Sequence, residues 1–194
     1  MEYKGCISTT EPSEIFHQDF LTNPIFELIP EGYDICYDAV SQPDMIGIQF
    51  YLYDSTVPLH RITSEDVISS IHIQFNKPYK WSYNWTPLYN NTAHIPELYT
   101  NSDLEGFDLS GAGVGTFMIL CVMAYSKSHN LHFALLYDAS SGYRMEQNIY
   151  TKIGFEYIND TSHEMVGKVD EIYNNITSFI DKKGGKFTAK LNLR

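Results

Sequence analysis

The stretch Leu109-Ser110-Gly111-Ala112-Gly113-Val114-Gly115-Thr116 constrains this chain more than any other. Three glycines alternate with small residues, and an apolar run over 117–125 follows at once. Without a Cβ, glycine lets backbone N–H groups come close to a ligand. A helix that begins there adds amides with no partner in the helix and the positive end of its dipole. Together these form an anion site, and phosphate is the usual anion. A tight turn ahead of a buried helix would account for the stretch equally well. Two familiar phosphate loops do not fit. No Lys follows Gly115, as a P-loop requires, and Glu105-Gly106-Phe107-Asp108 does not read as the strand that a dinucleotide fingerprint must follow.

The residues downstream favour the first reading. Leu131-His132-Phe133-Ala134-Leu135-Leu136-Tyr137 is a short apolar run, as expected of a strand covered on both faces. After a loop over 138–142 the pattern predicts a helix from about 143 to 152, with Gly154 as its stop and a strand over 155–158. Ser110-Gly111-Ala112-Gly113-Val114-Gly115 lies over the Arg/Gln-x-x-Gly-x-Gly acetyl-CoA loop of one enzyme superfamily, and Ile149-Tyr150-Thr151-Lys152-Ile153-Gly154-Phe155 over its "lYeklGF" element. In order and spacing the pair resembles the GNAT acetyltransferases, over residues 92–168. Three departures stand out. Ser110 takes the place of the family's Arg or Gln, the usual Asn of the second helix falls near Tyr143, and the link over 101–109 is long.

The remainder of the chain is compatible with this. A length of 194 residues with 43% hydrophobic content suits one globular domain, 1–194. Residues 45–53 and 67–75 are rich in β-formers and read as antiparallel strands, with part of another at 35–37. Residues 14–21 suggest a short helix, 164–169 a last strand, and Ile172, Ile176, Phe179 and Ile180 a closing helix. The loop over 76–92 holds both tryptophans and reads either as the wall of a pocket for a cationic amine or as a hydrophobic lid. Cys6, Cys36 and Cys121 have no metal-like spacing and read as reduced thiols; with no signal-peptide pattern and no membrane-length run, the expectation is a cytoplasmic protein without a metal. The net charge is −11, and setting aside the basic tail over 181–194 leaves 8 basic and 23 acidic residues, a net −15. Such a body repels nucleic acid and attracts protonated amines, although acidity also serves solubility. No membrane partner is expected, and a homodimer stays open.

The resemblance implies an α/β fold: a mixed, mostly antiparallel twisted sheet whose central parallel strands splay around acetyl-CoA, flanked by helices. It implies an N-acetyltransferase that acts on a primary amine by direct attack in a ternary complex. The acceptor would be a cationic, polyamine-like molecule or a lysine. Carried onto this sequence, the loop of Ser110, Gly111, Ala112, Gly113, Val114, Gly115 and Thr116 would hold the pyrophosphate. Backbone groups of Leu98, Tyr99 and Thr100 would line the thioester arm, and Tyr150 would protonate the departing thiolate unless it is a packed helix tyrosine. Glu97, acting through a water, and His94 are both candidates for the base, and either is otherwise structural. Cys121 reads as core. The alternative to an enzyme is a GNAT-fold protein that binds CoA or another partner without turnover.

Overall fold

β-branched and aromatic residues alternate with polar ones through the first half of the chain, and this pattern builds an antiparallel ladder. The computed structural model describes residues 29, 32–42, 45–63, 66–75, 91–100, 113–140, 143–145 and 148–182. Among them β1 (Tyr33–Gln42), β2 (Met45–Asp54), β3 (Val67–Phe75) and β4 (Thr92–Thr100) pair antiparallel in sequence. The expected helix over 14–21, the loop over 76–90, the residues Ser110, Gly111 and Ala112 and the tail from 183 on lie outside the described residues.

Helix α1 (Val114–Ser128) then crosses to β5 (Phe133–Tyr137), which pairs parallel with β4. The short α2 (Ile149–Ile153), β6 (Glu156–Tyr157), β7 (Glu164–Lys168) and α3 (Val169–Lys182) complete the described elements. They form one sheet of order β1-β2-β3-β4-β5-β7-β6, parallel only at β4–β5. Of the described strands, β5 lies inside this order with ladder partners on both sides, and Ala134, Leu135 and Leu136 are buried.

Alternation along the strands makes two clusters. Ile48, Phe50, Leu52, Ile71, Ile73, Ala93 and Ile95 join α1 and α3 in the main core. Cys36, Tyr51, Tyr53, Ile62 and Val67 form a smaller second cluster. Helix α1 is apolar all round and is buried from Thr116 through Ser126, as a helix between a sheet and a second helix must be. On α3 the expected stripe holds for Ile172, Ile176 and Ile180, but Phe179 is 48% exposed. It lies about 100° around the helix from Ile180, off the buried face at the last full turn.

The closing elements meet at two glycines. Gly154 ends α2 at φ 109, in the left-handed region that a helix stop uses. A Cβ on Gly167 of β7 would lie 2.7 Å from Ile172 Cδ1 and 2.8 Å from the carbonyl oxygen of Gly154. A backbone oxygen cannot swing aside as a side chain can. Gly167→Ala is therefore expected to cost about 1–3 kcal/mol, seen as a lower urea midpoint at an unchanged slope. A midpoint equal to that of the native chain would show that β7 and α2 can separate freely.

Candidate functional site

The site starts from an irregularity in β4. On the β3 side, His72 pairs with Glu97 but Gln74 pairs with His94, so one residue between them on β3 faces two on β4. The extra residue makes a β-bulge at Ile95–Pro96, where Pro96 has no N–H to give to a ladder. The bulge reverses the alternation. Before it Ala93 and Ile95 face the core; after it Leu98 packs against that core, while Glu97 and Tyr99 are exposed. At the same point β4 leaves β5: parallel pairing runs from Thr92↔Phe133 to Ile95↔Leu136 and stops. Beyond it, β4 continues through Thr100 on β3 alone, and β5 stays with β7. Among the described residues, the backbone of 97–100 thus presents one edge without a strand partner.

The first turn of α1 lies beside that edge. A Cβ on Gly115 would be 3.6 Å from Leu98 Cδ2 and 3.9 Å from Thr100 Oγ1. Gly113 precedes the helix at φ 83 and ψ 7, with no side-chain cap, and no acidic residue occupies the first turn. The first helical bond runs from Phe117 N to Gly113 O at 2.9 Å. By helix geometry the amides of Val114, Gly115 and Thr116 come before any intrahelical acceptor. The structure therefore brings together Leu98, Thr100 and the described part of the glycine stretch. The positive dipole end and the open strand edge can together receive an extended anionic ligand.

Tyr150 is half-buried on α2, against the core and edge-on to Phe155 (ring centroids 6.3 Å, planes at 84°). Burial first, and then the negative charge of Asp138, hold its phenol above the ordinary tyrosine value, so it carries its proton at neutral pH. The helix under it is shorter than the sequence pattern predicts. Tyr143 and Arg144 form a turn, with Arg144 left-handed at φ 53. Its guanidinium holds that turn by donating to Tyr143 Oη at 2.8 Å and to the carbonyl oxygens of Asn159 and Ser162. The helix begins only where Asn148 caps it, accepting from the amides of Tyr150 (2.8 Å) and Thr151 (3.3 Å).

The charged candidates separate. Glu97 is exposed and faces His72 across the ladder. Burial lowers the pKa of His72, and the charge of Glu97 works against that shift. His94, before the bulge, is buried between Gln74 and Leu135, away from the open edge. Cys121 is fully buried, and burial drives its thiol far above the range of a reactive cysteine.

The sequence reading missed Asp138. It directly follows β5, is fully buried, and accepts from Ser140 N (3.0 Å), Ser140 Oγ (2.5 Å), Asn148 Nδ2 (2.6 Å) and Tyr157 Oη (2.5 Å). Burial alone would raise its pKa, but these hydrogen bonds outweigh it and hold the carboxyl below the ordinary value. Asn148 could have been found as an Asn placed just before a helical run.

The sequence matches no protein-family model and no curated protein. Solved structures do match. The Elp3 protein of the archaeon Methanocaldococcus infernus, with its N-terminus deleted, is matched over 72% of this chain and 30% of its own, at 11% identity and a TM-score of 0.52. A GNAT-family acetyltransferase of Staphylococcus aureus Mu50 is matched over 63% of this chain and 68% of its own, at 12% identity and a TM-score of 0.42. The PaiA N-acetyltransferase of Thermoplasma acidophilum, in complex with coenzyme A, is matched over 64% and 61%, at 16% identity and a TM-score of 0.40. The chain thus spans less than two thirds of the Elp3 and PaiA chains. At these identities the likeness is one of fold. Among the described residues, a seven-stranded mixed sheet, a single parallel pair that parts at a bulge and a glycine-led helix between its two strands make the GNAT-like fold that the sequence resembles.

Proposed function

We propose that this chain is an acetyl-CoA-dependent N-acetyltransferase, one domain over 1–194, that acts on a primary amine. The observation that carries this reading is the parting of β4 from β5 beside the first turn of α1. Amides of 113–116 would meet the pyrophosphate, and the turn suits it: among the described residues no side chain caps these donors, and no acid lies in the first turn. Main-chain groups of 98–100 would hold the pantetheine arm and orient the thioester carbonyl. Glu97, exposed at the bulge, would take the ammonium proton through a water. The amine nitrogen then bonds to the acyl carbon, the carbon–sulfur bond breaks, Tyr150 gives its proton to the sulfur, and the second proton that the nitrogen sheds returns through water to the tyrosinate.

The acceptor would be cationic, a polyamine-like molecule or a lysine, because residues 1–180 carry a net −15. The buried thiol of Cys121 suits a reducing, cytoplasmic setting. No described helix is long and apolar enough to cross a membrane.

The experiment is CoA release from acetyl-CoA across a panel of amines. Spermidine-like amines or lysine peptides should turn over fastest, and added salt should slow them. Faster turnover of an amino-sugar nucleotide than of every cationic amine would overturn the acceptor class. CoA binding with no release from any amine would instead mark a GNAT-fold binding protein.

A further inference from the structure

α2 has five residues, too few to hold a direction by its own hydrogen bonds. Its orientation comes from its ends. At the C-terminal end Gly154 closes the turn, with its N–H on Thr151 O at 3.2 Å and that of Phe155 on Tyr150 O at 2.9 Å. At the N-terminal end the side-chain amide of Asn148 joins the helix to its surroundings. Asn148 Oδ1 accepts from the amides of Tyr150 and Thr151, while its Nδ2 donates to Asp138 Oδ2 at 2.6 Å and to Tyr157 Oη at 3.2 Å. Only one orientation of the carboxamide satisfies both sides, since its oxygen cannot donate and its nitrogen cannot accept.

Asp138 is itself fixed. It is fully buried directly after β5, its N–H donates to His163 O at 2.8 Å, and its carbonyl oxygen meets His163 Nδ1 at 2.8 Å. Tyr157 comes to it from β6, and Ser140 from its own loop. Arg144 reaches it only through Tyr157, whose hydroxyl accepts from Arg144 N at 2.8 Å.

We propose that Asp138 is a positioning residue for the transfer reaction: by locking the Asn148 cap it ties the direction of the Tyr150 phenol to the end of β5, where the two parallel strands part. This rests on the reading of Tyr150 as the acid. The buried charge has a second effect, since it holds the phenol proton against loss.

The test has an arm that needs no activity. In Asp138→Asn, the charge beside Tyr150 is gone, so its phenol, followed by carbon NMR of ring-labelled tyrosine, should titrate at lower pH than in the native chain. In the transfer assay kcat should fall roughly 10- to 100-fold, with acetyl-CoA affinity within about threefold. In a Tyr150→Phe background, Asp138→Asn should change kcat by less than about threefold, because there is no phenol left to direct. An unmoved Tyr150 titration together with native kcat overturns the proposal, as does a full kcat loss in the Tyr150→Phe background. A moved titration with a silent Tyr150→Phe would support the tie between Asp138 and Tyr150 and would overturn the acid role instead. If Asp138→Asn does not fold, Asn148→Ser replaces it: serine keeps a capping oxygen but is too short to bridge to Asp138, and the same non-additivity with Tyr150→Phe is expected. Additive losses in that pair would overturn the proposal.

Discussion

Tyr150→Phe should lower kcat by roughly 10²–10⁴-fold, the usual worth of a positioned proton donor. The ring keeps its contact with Phe155 and the core, so the fold should change little. Affinity for acetyl-CoA should scarcely move, since the hydroxyl acts on charge that develops only as the carbon–sulfur bond breaks. The pH profile adds a sign. Burial and Asp138 raise the phenol above its ordinary value of 10.0, so the acid form persists as pH rises, and the alkaline limb that reports its loss lies above that value. In the variant this limb should disappear. A Tyr150→Phe chain within about threefold of native turnover would mark the residue as packing alone, and thiolate protonation would pass to water or another group.

Gly115→Glu should abolish most CoA binding. A Cβ there meets Leu98 and Thr100 at ordinary contact distances, and the φ of Gly115 is not in the left-handed region. Gly113, at φ 83, is a poorer choice, because any side chain there is strained. A carboxylate in the first turn favours the helix itself through its dipole. The fold should therefore hold or gain slightly, while like charge against the phosphates weakens CoA by roughly 10²-fold. Added salt should restore part of the loss. Native CoA affinity by calorimetry would place the phosphates elsewhere.

These effects depend on features that the sequence showed unequally. The strands over 45–53 and 67–75 were legible because β-branched and aromatic residues fill half-buried ladders, and the observed β2 and β3 match them closely. The glycine stretch and the IYTKIGF element marked the fold because each has a backbone need: free amides before α1 and a left-handed stop after α2. The helix over 143–152 was overread. Its apolar spacing gave no sign that backbone carbonyls 15 and 18 residues downstream would hold Arg144 left-handed. The bulge at Pro96 was hidden for a related reason. A proline in a strand signals an irregular ladder, but only the β3 register tells which face Glu97 then takes. Asp138 was hidden because its partners, Asn148 and Tyr157, lie 10 and 19 residues away and meet it only in three dimensions.

In the proposed enzyme CoA lies between the parted ends of β4 and β5, on the first turn of α1. Backbone amide NMR during titration with CoA tests this placement most directly. The amides of Leu98, Tyr99, Thr100, Val114, Gly115 and Thr116 should shift together and saturably, while those of β1 stay still. Saturable shifts confined to other elements, or none at CoA concentrations that saturate transfer, would contradict it.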